Sequence, residues 1–225
     1  NKKTLVFAFQ ANIYAILVCK ILNKKVIVRS NSSPSGWLNN FLSKKFFSLI
    51  IKLSNGIVVN SLDFKKEFYR KFNVKTKCIY NPLDKNFLLL KKDKLKKELF
   101  KKNSLKILSV GRLTDQKDHI TLLKSIKFIN ENLKPHIIIV GKGTNYNILK
   151  NFIETNSLQN KVTLTGYIEN PINYIKKSDI LVLTSKFEGL PNILLEGQLL
   201  KKYIISTNCP TGPREILENG KYGFL

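Results

Sequence analysis

Two carboxylates eight residues apart, Glu188 and Glu196, bracket the stretch Glu188-Gly-Leu-Pro-Asn-Ile-Leu-Leu-Glu196. Proline suits a first helical position, because its fixed φ fits and its missing N–H is not needed there. A helix is therefore predicted to begin at Pro191 or Asn192, with Glu188, Gly189 and Leu190 in the preceding turn. Such a start presents backbone N–H groups and the positive end of the helix dipole, a ready site for phosphate. Gly189 permits close backbone approach. Carboxylate pairs that hydrolyse glycosides stand about 5 Å or about 6.5 to 9.5 Å apart, whereas eight helical steps span roughly 12 Å. The two glutamates are better placed to hold opposite ends of one ligand. A nucleotide sugar has that shape, and a carboxylate accepting from adjacent ribose hydroxyls is a device of dinucleotide sites. The residues alone equally allow a helix-terminus acid and a solvated helix acid.

A second group is Gly111-Arg112-Leu-Thr-Asp-Gln-Lys117-Asp118, between a buried strand and a helix that Asp118 could cap. Two cations five positions apart on one strand-end loop can converge on one anion. The planar fork of Arg112 and the point charge of Lys117 suit a diphosphate, although a basic loop can also be simply solvated.

The elements that must position these residues follow from short β-branched runs alternating with longer segments of helical period, the pattern of a parallel sheet flanked by helices. Strands are predicted at 4–9, 25–29, 56–60 and 78–80 in the front half, and at 105–110, 136–140, 162–165, 180–184 and 203–206 in the back half. Glycine or a polar turn closes almost every strand of the back half: Gly111, Gly141-Lys-Gly143, Gly166, Ser185 and Thr207. Ligands of open α/β sheets bind at the carboxyl ends of strands, so these loops are expected to line one crevice. The charged segment Lys91 to Lys102 reads as a solvated helical connector. The predicted fold class is α/β with two Rossmann-like lobes, the first over 1–95 and the second over 96–225.

The 225 residues carry 39 Lys and Arg against 15 Asp and Glu, a net charge of +24. Residues 1–103 hold 23 of these cations and 5 of the acids, and 104–225 hold 16 and 10, so the excess is +18 in front and +6 behind. Such a surplus fits an anionic partner or compositional bias toward lysine. Nucleic acid is not expected, because the chain lacks basic-aromatic interleaving or a binding motif and its surplus lies away from the motif-bearing half. Cys19, Cys78 and Cys209 are too few and too scattered for a disulfide framework or a zinc site, and fit a reducing, cytoplasmic setting. Leu5 to Cys19 is uncharged but too short to span a bilayer and contains Gln10 and Asn12, so it reads as a strand and a helix. The start at Asn1, the absence of methionine and the final Tyr-Gly-Phe-Leu225 lead us to expect part of a longer protein, inactive as given. Lysines mixed with Phe, Leu and Ile around 37–52 and 65–71 would suit the anionic inner face of a membrane. A packed amphipathic helix with a solvated lysine face explains them as well.

Taken in order, Gly111-Arg112 with Lys117, Glu188 to Glu196, Gly212-Pro-Arg-Glu215 and Asn219-Gly220 resemble the large "glycosyl transferases group 1" family of retaining glycosyltransferases with the two-lobed GT-B fold. The resemblance covers residues 105–225 and extends more weakly to Ile57-Val-Val-Asn-Ser61 and Ile79-Tyr-Asn-Pro-Leu-Asp84, in what would be the acceptor lobe. It implies transfer of a hexose or N-acetylhexosamine from a nucleotide sugar, UDP-linked rather than GDP-linked, to a glycan or polyprenyl-diphosphate-linked acceptor in polysaccharide or lipopolysaccharide synthesis. Arg112 and Lys117 would neutralise the departing diphosphate, Glu188 would contact sugar hydroxyls, and Glu196 would hold the ribose. Backbone amides of Gly189, Leu190, Pro191 and Asn192 would touch sugar and phosphate as far as each carries a donor. Gly111, the Gly141 to Gly143 loop and Gly166-Tyr167 would flank the nucleotide, with Tyr167 a stacking platform. No Asp-any-Asp occurs, so neither metal nor cofactor is expected. The family often has a histidine after a strand of the first lobe, where this chain has Arg29-Ser-Asn-Ser-Ser-Pro-Ser-Gly36, so no catalytic base is assigned there; polar Asn31 to Ser35 could meet the acceptor or form a turn. A nucleotide-sugar epimerase of the same fold is the alternative, and would need acid/base residues that the sequence does not display.

Overall fold

The computed structural model describes residues 4–31, 33, 40–83 and 99–225. The described chain forms two compact units. The first comprises Asn1–Pro82 with Phe187–Leu190 and Cys209–Glu215, and the second Leu83–Lys186, Pro191–Asn208 and Ile216–Leu225. The connector predicted over Lys91 to Lys102 lies mostly outside the described residues.

In the first unit β1 (Leu5–Ala8), β2 (Lys25–Ser30), β3 (Gly56–Val59) and β4 (Lys77–Cys78) form a parallel sheet in sequential order. The helices α1 (Asn12–Ile21), α2 (Phe41–Ile51) and α3 (Leu62–Phe72) connect them. The run Leu-Asp-Phe-Lys-Lys-Glu-Phe-Tyr-Arg-Lys-Phe explains α3 by its spacing, since Phe64, Phe68 and Phe72 recur every fourth residue and are buried. They meet Phe47 of α2, with Phe68 and Phe72 ring centroids 5.3 Å apart at 68°. Edge-to-face rings of this kind add to the burial of their area. The Ser61 hydroxyl accepts from the Phe64 amide at 3.2 Å, and Asn73 ends the helix in the left-handed conformation. The Glu215 carboxylate accepts from the Leu62 and Asp63 amides at 3.0 Å each and from the Tyr80 hydroxyl at 2.6 Å. It thereby holds three donors, two of them at the positive end of α3.

The second unit is a five-stranded parallel sheet in the order β7-β6-β5-β8-β9, with β5 (Lys106–Val110) in the centre. β6 (His136–Val140) and β7 (Val162–Gly166) lie on one side of it, β8 (Ile180–Leu183) and β9 (Tyr203–Ser206) on the other. The first half of this unit therefore winds outward in one direction and the second in the other. The reversal between β5 and β8 is the kind of switch point at which open parallel sheets bind ligands. The crossover helices are α4 (His119–Ser125), α5 (Tyr146–Thr155), α6 (Ile172–Lys177) and α7 (Asn192–Leu199), and α8 (Pro213–Ile216) follows the last strand. β6 is buried along its whole length, as the unbroken His-Ile-Ile-Ile-Val run requires of a strand covered on both faces.

All nine strands stand where the sequence places them, to within two residues at either end. One expectation is corrected. Asp118 precedes α4 in a left-handed conformation (φ 46°) and makes no side-chain cap to a backbone amide; its Oδ2 accepts instead from the Thr121 hydroxyl at 2.8 Å. Truncation of Phe68 to alanine is expected to cost about 3–5 kcal/mol through the cavity left in the ring cluster. Loss of the Ser61 cap in Ser61→Ala is expected to cost about 1 kcal/mol. Urea midpoints of the variants measure both, and a Phe68→Ala midpoint equal to that of Ser61→Ala would contradict the packing assigned to α3.

Candidate functional site

At the carboxyl end of the second unit's sheet, the loops after β5 and β6 are locked together. The Leu113 amide donates to the Lys142 carbonyl at 3.0 Å and the Asn145 amide to the Leu113 carbonyl at 2.9 Å. Asn145 Nδ2 adds a 2.7 Å bond to the Asp115 carboxylate. The loops approach so closely that a Cβ on Gly141 would lie 1.9 Å from the Gly111 carbonyl oxygen, and one on Gly143 would lie 2.3 Å from that of Leu113. Both glycines thus have a positional role in seating the Arg112 to Lys117 loop. Within it Lys117 folds back, its Cδ and Cε 3.4 Å from where a Gly111 Cβ would stand, and Arg112 is exposed with Nη2 3.3 Å from Gln116 Oε1. Two anchors hold the loop from β8: Thr184 Oγ1 donates to the Lys117 carbonyl at 3.0 Å, and the Lys186 amide to that of Gln116 at 2.8 Å.

Beside the central strand lies a cavity of about 680 Å³ lined by Val110, Ile168, Glu169, Asn170, Pro171, Ile193 and Glu196. Its size is that of a small-molecule site. Ile193 and Glu196 are one turn apart on α7, Val110 ends β5, and 168–171 follow β7, so the cavity occupies the switch point. Glu196 is half-buried, and burial pushes its carboxyl pKa above the usual glutamate value. The side chain keeps its charge more readily once a ligand donates hydrogen bonds to it. Its neighbour Gly197 explains how α7 can come so near the sheet, since a Cβ there would stand 2.5 Å from Leu181 Cδ2 and 3.3 Å from Ile204 Cδ1.

The predicted helix start is observed: α7 begins at Asn192 with Pro191 as its cap residue, which supplies no side-chain cap. Of the residues singled out in sequence, Val110's neighbour Gly111, Arg112, Lys117, Gly141, Gly143, Gly166, Tyr167, Pro191, Asn192 and Glu196 belong to the second unit, and Glu188, Gly189 and Leu190 to the first. Glu188 is buried, its carbonyl accepting from the Ser33 amide at 3.1 Å and from the Thr211 hydroxyl. Gly189 is pressed against the first unit's loops, where a Cβ would lie 2.0 Å from the Asn31 carbonyl oxygen. The Leu190 carbonyl accepts from Asn81 Nδ2 at 3.3 Å. Tyr167 is exposed, and Lys142 Nζ sits 5.2 Å from its ring centroid. The cavity is lined by the four residues after Tyr167, which sequence reading did not single out. The Asn170-Pro171 turn that shapes them was the available signal.

His119, the first residue of α4, is buried, and burial followed by the charge of Lys117 lowers its pKa to about 4. It therefore stays neutral beneath the cationic loop. Below about pH 6.5 the unfolded chain binds a proton there that the folded chain refuses, so stability is lost as pH falls from 6.5 towards 4, by up to about 3 kcal/mol. Denaturant unfolding across that range is expected to show this slope in the native protein and to lose it in His119→Gln; equal slopes would exclude the histidine as its source.

Residues 91–225 match the family described as glycosyl transferases group 1. An uncharacterized glycosyltransferase of Methanocaldococcus jannaschii is 33% identical over 96% of this chain and 61% of its own length. The Campylobacter jejuni N-acetylgalactosamine-N,N'-diacetylbacillosaminyl-diphospho-undecaprenol 4-alpha-N-acetylgalactosaminyltransferase is 27% identical over 98% of this chain and 61% of its own. The chain thus spans about three fifths of these relatives. Among solved structures, Anabaena HepE in complex with UDP and glucose superposes with a TM-score of 0.83 at 20% identity, over 98% of this chain and 63% of that one. TarM gives 0.76 at 18% identity, over 100% of this chain and 45% of that one. These likenesses identify the parallel α/β architecture as that of the GT-B glycosyltransferases. With its phosphate-suited loop, its helix start and its carboxylate at the switch point, and with 91–225 matched as a block, the chain belongs to the glycosyl transferases group 1 family.

Proposed function

We propose that the full-length protein transfers a hexose or N-acetylhexosamine from a nucleotide sugar, UDP-linked rather than GDP-linked, to a glycan or polyprenyl-diphosphate-linked acceptor, with retention and without a metal ion. The observation that carries the reading is the switch-point cavity with the half-buried Glu196 carboxylate on its wall. A ribose diol supplies the two donors that such a carboxylate needs. Names of relatives point the same way. The C. jejuni enzyme is named for a diphospho-undecaprenol acceptor, and an Escherichia coli relative, 34% identical over 64% of this chain, for UDP-Gal and a diphosphoundecaprenol acceptor. The family match does not favour the epimerase alternative.

In this reading the bond from the anomeric carbon to the diphosphate oxygen breaks, and its electron pair stays on that oxygen. The acceptor hydroxyl forms the new bond, and its proton passes to the leaving diphosphate. Negative charge grows on the diphosphate throughout, so groups that bind it more tightly as it departs lower the barrier. Arg112, Lys117 and the start of α7 supply them, which is why no divalent cation is invoked. Glu188 is assigned to the sugar hydroxyls.

Calorimetry of the full-length protein with UDP, GDP and a single-stranded oligonucleotide tests the donor side. UDP is expected to bind with millimolar or tighter affinity, unchanged by EDTA, and about tenfold to a hundredfold more weakly in Arg112→Ala and Glu196→Ala. Because the ligand favours the ionised carboxylate, UDP affinity is expected to rise with pH through the raised Glu196 pKa and to lose that dependence in Glu196→Gln. Full affinity in both alanine variants, or preference for the oligonucleotide, would overturn the assignment.

Peripheral contact with the cytoplasmic face of an anionic membrane forms part of the proposal. Among the described residues no helix is long and apolar enough to cross a membrane. On α2, however, Phe41 and Leu42 are each 77% exposed, with Phe46 and Leu49 exposed as well and Lys44 and Lys45 between them. On α3, by contrast, Phe64, Phe68 and Phe72 are buried, and Lys66 and Lys71 pair with Asp63 and Glu67 at 3.8 and 2.9 Å on the helix itself. Co-sedimentation with phosphatidylglycerol vesicles is expected to exceed that with phosphatidylcholine vesicles and to fall in Phe41→Ser/Phe46→Ser; equal sedimentation by the variant would remove α2 from the contact.

A further inference from the structure

The amino end of the second unit's sheet carries another cavity, of about 440 Å³, lined by Lys101, Lys102, Lys106, Lys176 and Lys177 beside an apolar wall of Leu99 and Phe100. Among the described residues no carboxylate lines it. Lys106 opens β5 and Lys177 ends α6, whereas Val110 at the far end of β5 and Pro171 at the start of α6 line the switch-point cavity. The strand between the two ends rises about 13 Å. A small ligand can therefore occupy one end while the other is filled.

Buried structure fixes where the lysine stems start. Phe100 is buried and meets the His136 ring edge-on, with centroids 5.8 Å apart at 86°. His136 Nδ1 accepts from the Lys101 amide at 3.1 Å, and Nε2 lies 3.0 Å from Thr163 Oγ1, so the backbone at 100–101 is tied to β6 and through it to β7. On the α6 side, Lys202 Nζ donates to the Lys176 and Ser178 carbonyls at 2.6 and 2.9 Å. The negative end of that helix is thus already served by one cation, and the ammonium groups of Lys176 and Lys177 are not required to cap it. Asp179 spends Oδ2 on the Lys106 amide at 2.8 Å. Lys101 Nζ donates to the Asn160 carbonyl at 2.5 Å, a neutral partner that leaves its charge uncancelled. Among the described residues neither Lys106 nor Lys177 forms an ion pair. Cations from three separate stretches of chain are held around one hollow, where a lysine-rich composition alone would disperse them over the surface.

We propose that this lysine pocket binds the phosphate group of a small ligand, at the end of the sheet opposite the switch-point cavity. An ammonium group is a compact point charge with three donors, suited to meeting the oxygens of a terminal phosphate from several sides. A single planar carboxylate is better matched by the fork of an arginine, which the pocket lacks. Leu99 and Phe100 exclude water from one wall, which strengthens attraction between the charges inside. The volume is that of a small-molecule site and exceeds what a bare ion fills, so the ligand is a diphosphate or an organic phosphate. The pocket takes no part in the donor reading and stands or falls separately from it.

Calorimetry of the full-length protein at about 0.15 M salt, with saturating UDP to keep the switch-point cavity filled, tests the pocket with pyrophosphate and with dihexanoyl phosphatidic acid. At least one probe is expected to bind at a single site. Its affinity is expected to fall about tenfold or more in Lys106→Gln/Lys177→Gln and to return in Lys106→Arg/Lys177→Arg, which keeps both charges. Tighter binding of pyrophosphate identifies a soluble phosphate as the ligand, and tighter binding of phosphatidic acid a lipid headgroup. The inference fails if neither probe binds, if the glutamine variant binds them normally, or if binding appears only at low salt without a defined stoichiometry, as for diffuse surface charge. UDP affinity within about twofold of native shows that a variant folds. Lys177→Gln alone, at an exposed position, is expected to weaken binding about threefold or more and decides the matter should the double variant not fold. Should the native protein fail to bind UDP, the donor reading falls, and comparison of the same variants without UDP still decides the pocket.

Discussion

The near-contact of two loop backbones, Gly141 against the Gly111 carbonyl, is the constraint on which the second unit's chemistry depends. With a Cβ at 1.9 Å from that oxygen, no other residue fits without moving one strand end from the other. The consequences run outward. Leu113 can then bond to both the Lys142 carbonyl and the Asn145 amide, and the loop carries its two cations just beyond the end of the central strand. His119 beneath the loop is kept neutral, so no third positive charge competes from below. A cationic loop held by main-chain bonds on both sides is preorganised, and preorganised charge is what stabilises a leaving group without reorganisation at the moment of reaction.

The strands could be read from the sequence because a parallel sheet covered on both faces needs unbroken apolar runs such as Ile137 to Val140, and glycine or a polar residue where each run stops. The start of α7 was readable for a similar reason, since proline states its own position. Other features depend on residues far apart in the chain, and no local pattern encodes them. Gly141 and Gly143 read in sequence as loop glycines at a ligand, and their further role in seating the loop from β5 shows only when that loop is brought against them. The lining from Ile168 to Pro171 follows from which strand edge faces Glu196, and the left-handed Asp118 from how the loop before it is pinned to β8 by Thr184. The stretch from Glu188 to Glu196 looks continuous in sequence, yet it contributes its first three residues to one unit and the rest to the other.

The two glutamates accordingly differ in their surroundings. Glu188 is buried, with its carbonyl tied to Ser33 and Thr211, whereas Glu196 stands on a cavity wall where burial alone perturbs it. A carboxylate perturbed by desolvation is one whose charge is completed by a ligand. The contrast is one of backbone against side chain: the Glu188 carbonyl is tied within the first unit, while the Glu196 carboxylate stands on a cavity wall of the second.

Glu215 closes the start of α3 from a point 153 residues further along the chain. During synthesis, Leu62 and Asp63 emerge long before the carboxylate that accepts their amides, so the first unit leaves the ribosome with that helix end served by Ser61 and water alone. Completion of the unit waits until the strands β5 to β9 have been made. A contact of such sequence separation carries a large loop-closure entropy and forms late in folding. A nascent chain arrested before Glu215 is therefore expected to expose an incomplete first unit, the state most open to chaperones and proteases.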